Sequence, residues 1–495
     1  MAAATNQATD QSRPSRHDAS PSSDETLGAN ATEDHRDRPD AQDSDEEKGS
    51  HSSPPQPVGF FDSALSKVRL QVFGLWARTT LILSAFILAV LSLYWAVLFN
   101  VEQNTSSLTV FVVDFDGKVD PFTATTPLVG PMITQTTEMM LAAPEPHLGY
   151  ETIQPSIFDN DPMAVRRAVY DWKAYAAIVV MPNATAMLQQ AVDQANVTYD
   201  PLGACQIVYV QARDETSYYN YIIPQLNALE TQITSKFGQM WTGMVLQNTT
   251  IPRENLQRVP QALSPAIGFS QFNLRPFAPS VATPAVTIGL IYLIILSFFS
   301  FSFYLPIHMK FLNPDGHPPM KFPSFIVWRW TATLTAYFFL SLSYSLISLA
   351  FQIPFANHSA TVTEVANNPE SYGKGTFMVY WMINYVGMIS LGLACENVAM
   401  VIGQPWTAMW LIFWVITNVS TSFYSLDLAP KFYYWGYAWP LHNIVEASRS
   451  TLFQLHSRIG LNFGVLFVWC AVNTALFPIC CYIMRWKTQR EQKKQ

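Results

Sequence analysis

Charge is scarce in this chain, and so is cysteine. Asp, Glu, Lys and Arg make up 13% of its 495 residues, against 49% hydrophobic and 14% aromatic. That composition suits a protein whose second solvent is lipid. The formal net charge of −7 gathers in residues 1–57, which hold twelve Asp/Glu against five Lys/Arg, so the remainder balances at zero. No basic surface for nucleic acid follows. Of five cysteines, Cys395, Cys470, Cys480 and Cys481 fall in apolar runs and only Cys205 lies outside them. The soluble part therefore cannot close an internal disulfide and must rest on a packed core.

Catalytic signatures are missing too. There is no phosphate-binding G-x-x-x-x-G-K-[ST], since Gly373-Lys374-Gly375-Thr376 lacks the leading glycine and the spacing. H-E-x-x-H, C-x-x-C and G-x-S-x-G are absent, and the nine histidines are scattered, three of them in the first 57 residues. We expect no enzyme activity, no metal and no cofactor. No apolar stretch follows Met1, so a cleaved signal peptide is not expected and the first membrane helix must direct insertion itself.

What the chain does have is six long apolar runs. They fall at 79–99, 281–305, 325–353, 377–402, 406–427 and 462–484. An α-helix needs about 20 apolar residues to cross hydrocarbon. The expected fold is an α-helical polytopic membrane protein, with six transmembrane helices in a one-plus-five layout and an inserted α/β extracytoplasmic domain at 100–280. Residues 1–57 form an acidic tail too polar to fold, with acid-flanked serines at Ser22, Ser23 and Ser44 that would suit a kinase. Residues 58–78, with Phe60, Phe61, Leu65, Val68, Val72, Phe73 and Trp76 at helical spacing around Lys67 and Arg69, predict an amphipathic helix on the cytoplasmic leaflet. A plain extension of the first span is the alternative. Residues 428–460 form an outer loop, and 485–495 a basic cytoplasmic tail.

Lys67, Arg69 and Arg78 precede the first run; Lys310, Lys321 and Arg329 flank the second loop; Arg485, Lys487, Arg490, Lys493 and Lys494 follow the last. Positive charge on one side of an even number of crossings puts both termini in the cytoplasm. Glycosylation sequons open at Asn104, Asn183, Asn196 and Asn248 in the large domain and at Asn357 in another outward loop, which agrees. Asn30 and Asn418 open sequons in unsuitable places. Phe432, Tyr433, Tyr434, Trp435, Tyr437 and Trp439 read as an aromatic belt at the outer interface.

Within the large domain, 108–115, 175–181 and 205–210 read as buried strands, with helices near 127–142, 161–173 and 184–195. Residues 225–247 carry Leu226, Leu229, Ile233, Phe237, Met240 and Met244 at helical spacing; packing on the sheet is favoured over a stalk. Asp114-Phe-Asp116-Gly117 ends the first strand. It resembles the start of aspartyl phosphatases of the haloacid-dehalogenase type, yet no convincing partner lysine or acidic pair follows, Asp159 and Asp161 being weak. A turn is the favoured reading.

Glu396 is the one clear carboxylate inside a span. An intramembrane charge must face protein or water, so it is a transport-path candidate or a structural group reaching an interfacial Arg or Lys. Asn384 and Asn397 join it as candidates, although such residues, with Asn418 and Asn473, more often glue helices together. In 439–453, Leu441, Ile444, Val445, Leu452 and Phe453 mark one face, with His442, Glu446 and Arg449 on the other. An outer-interface or re-entrant helix is expected, with Glu446 and Arg449 as further path candidates; an aromatic-anchored surface helix is the alternative.

From about residue 75 to 486 the chain resembles the fungal nitrosoguanidine-resistance family of membrane proteins, a domain of unknown function. The resemblance rests on Thr109-Val-Phe-Val-Val-Asp-Phe-Asp-Gly117, Tyr175-Ala-Ala-Ile-Val-Val-Met-Pro182, the Phe432 to Asn443 stretch and Leu461-Asn-Phe-Gly-Val465. More distantly the layout is similar to type-2 ABC-exporter permeases and bacterial phage-infection proteins. The resemblance implies a plasma-membrane or endomembrane protein tied to resistance to toxic compounds and to lipid distribution between leaflets. Its motifs mark no catalytic residue. Membrane lipids are the expected partners, with a partner ATPase or flippase and a homo-oligomer as further possibilities, because the chain has no nucleotide-binding domain of its own. A permease, a non-transporting regulator or scaffold of a flippase or pump, and a lumenal phosphohydrolase at Asp114/Asp116 are the three functional readings.

Overall fold

The computed structural model describes residues 57–313, 316–355, 372–403 and 405–493. The acidic tail with its serines and the Asn357 sequon lie outside the described residues. The chain divides into two units, residues 1–71 and 72–495. In the first, the Asp62 carboxylate accepts from Ala64 N at 2.8 Å and starts a short turn of helix at Ser63–Leu65. Arg69 lies over the Phe60 ring at 5.7 Å and donates to the Asp62 carbonyl at 3.0 Å.

Helix α1 spans Ser66–Ala96 without interruption and so takes in most of 58–78 together with the first apolar run. Among its residues only Val90 is buried.

After α1 come β1 (Thr109–Asp114), α2 (Val129–Leu141), β2 (Gly149–Ile153), α3 (Pro162–Tyr170), β3 (Ala176–Val180), α4 (Ala184–Gln194), β4 (Cys205–Tyr209), α5 (Ile223–Gln247) and β5 (Phe269–Asn273). The strands make one small mixed sheet in the order β2-β1-β3-β4-β5, in which only β3 and β4 pair antiparallel. β3 is buried at every position, which explains why Ala-Ala-Ile-Val-Val shows no alternation. One face packs on α5 through Leu226, Leu229, Ile233 and Phe237. The three expected strands and four expected helices are present; β2 and β5 are additional.

The Asp-Phe-Asp-Gly segment closes this module. Asp116, fully buried, accepts from Val129 N and Gly130 N at 3.2 Å each and from Thr185 N at 2.9 Å, so one carboxylate meets the first turns of both α2 and α4. Unpaired N–H groups at a helix start favour a negative charge there. Asp114 accepts from Asp116 N and from Lys118 Nζ at 2.7 Å. Gly117 sits at φ +64°, where a Cβ would meet the Thr125 carbonyl oxygen at 2.7 Å.

The remaining helices are α6 (Ile291–Met309), α7 (Phe322–Ala350), α8 (Thr376–Ile402), α9 (Trp406–Val419), α10 (Pro440–Phe453) and α11 (Ile459–Gln492). Among the described residues, five helices are long and apolar enough to cross a membrane: Ser63–Ala96, Ser280–Met309, Phe322–Ala350, Gly373–Ile402 and Ile459–Gln492. Helix α9 stops at Val419 rather than near 427, and fourteen residues reach roughly 21 Å, short of the hydrocarbon thickness. Its end is set by α10: Asn418 Oδ1 accepts from Leu441 N at 3.1 Å, and the Thr421 carbonyl bonds His442 Nδ1 at 2.9 Å.

Helix α8 is the axis of this bundle, with 78% of its apolar window buried against 6% for the helix containing α1. It packs on α6, α7, α9, α10 and α11. Gly392 permits the approach, since a Cβ there would lie 2.5 Å from Tyr337 Oη and 2.7 Å from Ser297 Cβ. Helix α10 is no surface helix. Twelve of its fourteen residues are buried, and it packs on α8 and α11 as well as on the Gln211–Arg213 turn that follows β4.

Candidate functional site

Two places gather buried polar side chains. The first is inside the bundle. Arg329 ion-pairs with Glu396, both about 2% exposed or less, and Thr333 Oγ1 lies 3.5 Å from the other carboxylate oxygen. Arg329 therefore does not flank a cytoplasmic loop; the eighth residue of α7 turns inward to the one carboxylate in α8. Its guanidinium also lies 5.3 and 5.4 Å from the Phe301 and Phe477 rings. The space beside the pair is about 10 Å³, room for at most one water. Asn397 donates to the Asn473 carbonyl at 2.9 Å, tying α8 to α11, and Asn384 donates to Ser345 Oγ at 2.9 Å, tying α8 to α7. All three candidates on α8 join helices.

The second place is a cavity of about 290 Å³ where the sheet module meets α10 and the chain after α9. It is lined by residues from both sides, Glu446 and Arg449 among them. Arg449 pairs with Glu215 at 2.7 Å and donates to the Arg213 carbonyl at 3.2 Å, fastening α10 to the sheet module. Burial pushes the Glu215 carboxyl above its ordinary range, and Arg449 opposes that shift. Glu446 accepts from Asn462 Nδ2 at 2.6 Å and faces Arg458 at 3.8 Å.

Of the other lining groups, Trp172, Arg213, Asp427 and Arg458 were not singled out from the sequence. Arg213 donates to the Ala174 carbonyl at 3.2 Å and lies 3.9 Å from the Tyr175 ring and 5.0 Å from the Trp172 ring, with no carboxylate in ion-pair range among the described residues. Arg458 stands 4.9 Å from the Trp172 ring. Trp172 follows the end of α3 at φ +62°, a left-handed conformation that a bulky residue rarely adopts, and its indole N–H is buried without an acceptor. Tyr175 Oη donates to Asp427 at 2.5 Å, and burial raises its pKa, keeping the phenol a donor. Tyr437, whose pKa burial and Asp427 push up to about 12, reaches the same carboxylate at 3.5 Å. One signal in the sequence pointed here: Arg213-Asp214-Glu215, three charges directly after an apolar strand.

The structure thus brings Glu446 and Arg449 together with groups of the sheet module and keeps Glu396, Asn397 and Asn384 apart from them. The sequons differ as well. Asn248 is exposed, and both it and Asn196 accept from their own sequon threonines, whereas Asn104 Nδ2 donates to the Leu428 carbonyl at 3.0 Å. The Asn183 sequon uses Thr185, which is buried against Asp116. Among the described residues no group of three or more His, Cys, Asp or Glu could hold a metal ion.

Comparison with known proteins adds the family. Residues 79–475 match the family described as protein of unknown function (DUF3533), and the chain belongs to it. It is 26% identical over 443 residues to an uncharacterized endoplasmic reticulum membrane protein of Saccharomyces cerevisiae, covering 86% of this chain and 83% of the relative. No solved structure matches.

Proposed function

Starting from a member of this family of membrane proteins, we propose a permease-type protein of the endomembrane system that moves or distributes amphipathic molecules across its bilayer. The observation that carries the reading is the junction cavity, a charged and aromatic chamber at one end of a helix bundle whose axis, α8, is lined with buried polar groups. Pockets that join a few convergent polar groups to aromatic walls at a domain boundary are where ligands bind. In this proposal α9 and the chain that follows it together complete a sixth crossing, both termini are cytoplasmic, and the sheet module with its cavity lies on the lumenal side. The tightly filled Arg329–Glu396 pair then braces α7 against α8 and lies outside the path. The likeness to toxin-resistance proteins and exporter permeases supports this reading.

The regulator reading keeps one point in its favour: the polar groups on α8 are used in helix-to-helix bonds, as a scaffold requires. The phosphohydrolase reading is disfavoured, because Asp116 spends its carboxylate on the starts of α2 and α4. The test is the purified full chain in sealed liposomes carrying a fluorescent phospholipid in one leaflet. Movement to the other leaflet, beyond that in protein-free vesicles, supports the permease. No movement, from protein that restores the phenotype of cells lacking it, overturns it in favour of the regulator.

A further inference from the structure

The junction cavity is lined by charges of both signs, Arg213, Arg449 and Arg458 with Asp214, Asp427 and Glu446. Arg213 and Arg458 both approach the Trp172 ring, at 5.0 and 4.9 Å. Among the described residues Arg213 donates to one carbonyl, and Arg458 holds Glu446 at 3.8 Å. Asp427 accepts from two phenols, Tyr175 and Tyr437, and has no cation in ion-pair range among the described residues. Tyr175 has Arg213 against its ring and Asp427 on its hydroxyl. Arg213 and Asp427 are thus linked through one side chain.

A guanidinium pair recognises an oxyanion such as a phosphate ester through several directed donors. A carboxylate among tyrosine rings recognises an ammonium, primary or quaternary, by charge and by the negative faces of the rings. The strained, N–H-orphaned Trp172 beside these two arginines is a second sign of a built site, because such strain persists where the surroundings enforce it. Helix α10 and Tyr437 of the aromatic run Phe432 to Trp439 line the cavity, and Tyr and Trp of this kind collect at the headgroup level of a bilayer.

We infer that the cavity binds a zwitterionic phospho-amine, a phosphate ester joined through a short linker to an ammonium group, with the phosphate at Arg213 and Arg458 and the ammonium at Asp427. The inference deepens the permease proposal and rests on it for the lumenal position of the cavity. A phospholipid headgroup and a free phospho-amine share this chemistry.

The experiment uses the full chain in a nonionic detergent and follows tryptophan fluorescence. The probes are dihexanoyl-phosphatidylethanolamine, dihexanoyl-phosphatidylcholine, dihexanoyl-phosphatidic acid and free phosphoethanolamine. The expected result is saturable binding of the two zwitterionic lipids, weakened at least about tenfold, or 1.4 kcal/mol, in Asp427→Asn and in Arg213→Gln. Melting curves of both variants establish that they are folded; Tyr437→Phe, a milder change on the same carboxylate, serves if either is not. Phosphatidic acid, which lacks the ammonium, should bind more weakly and ignore Asp427→Asn. Free phosphoethanolamine binding as tightly as the lipid supports the site and makes its source soluble; much weaker binding supports it with a lipid source. Absence of zwitterion binding, or phosphatidic acid binding as tightly as the zwitterions, overturns the inference. Binding retained without movement in liposomes would remove the permease reading and leave the site. Movement unaffected in variants that have lost binding would leave both the site and the permease and take the site out of the transport path.

Discussion

Two buried Arg–Glu pairs hold this molecule together, and they do different work. Arg329–Glu396 joins α7 to α8 inside the bundle, with both side chains 2% exposed or less. Arg449–Glu215 joins α10 to the sheet module, with 7% and 10% exposure, beside a cavity. The first is sealed by Phe301, Phe477 and Tyr337 and leaves room for about one water. The second borders a chamber large enough for a small ligand. Burying a charge pair is costly, and breaking one costs more because the survivor is stranded. A sealed pair is thus a rivet, and a pair beside water-filled space can serve as a hinge between two bodies.

The largest effect should come from breaking the sealed pair. Arg329→Met strands Glu396 and should destabilise the bundle by about 3–5 kcal/mol, read as lost thermal stability in detergent. Adding Glu396→Leu to that variant should recover most of the loss, since an apolar pair removes both desolvation costs. Arg449→Met should cost less, about 2–3 kcal/mol, because Glu215 keeps some contact with water. Its signature should be local: faster proteolysis at the junction with the bundle itself unchanged.

A smaller, pH-dependent effect should separate the junction from the bundle. His442 donates through Nδ1 to the Thr421 carbonyl, and burial holds its pKa below the usual 6.5, against Glu446, which raises it, and with Arg449 and Arg458, which lower it. The folded state therefore favours neutral imidazole. The stability from this group is fully present above the unfolded value and is lost as pH falls through it towards the folded one. Melting temperature should drop on acidification from about pH 7.5 to about 5.5 by more in wild type than in His442→Gln. The smallest effect is expected at the glycans. Asn248→Gln should remove one glycan, seen as a mobility shift, with stability unchanged, whereas Asn104→Gln should leave mobility as it is and weaken the Leu428 contact.

The elements were legible where local chemistry decides them. β1, β3 and β4 announce themselves as β-branched runs, and α2, α3, α4 and α5 end within a few residues of their sequence limits. β2 (Gly-Tyr-Glu-Thr-Ile) and β5 (Phe-Ser-Gln-Phe-Asn) did not, because edge strands with one solvated face carry little apolar signal. The end of α9 was illegible for another reason. Apolar residues continue to Leu426, but Asn418 and Thr421 are claimed by the start of α10, a tertiary choice.

The site was half legible. Charges in an apolar stretch drew attention to Glu396, Glu446 and Arg449, and all three are buried or half-buried and paired. Nothing local shows that Asp427 meets Tyr175, some 250 residues earlier, or that Arg213 and Arg458 both approach Trp172. Arg329 misled for the same reason: an arginine near the start of a span looks like an interfacial charge until the carboxylate facing it is known.

The most direct test of the account compares one residue from each place. Wild type, Asp427→Asn and Glu396→Gln, each folded and at equal density in sealed liposomes, are assayed for movement of a labelled phosphatidylethanolamine between leaflets. The account predicts that Asp427→Asn abolishes most of the movement and that Glu396→Gln, a change in a rivet, retains it. Movement that survives Asp427→Asn and disappears in Glu396→Gln would contradict it and place the path through the bundle at Glu396.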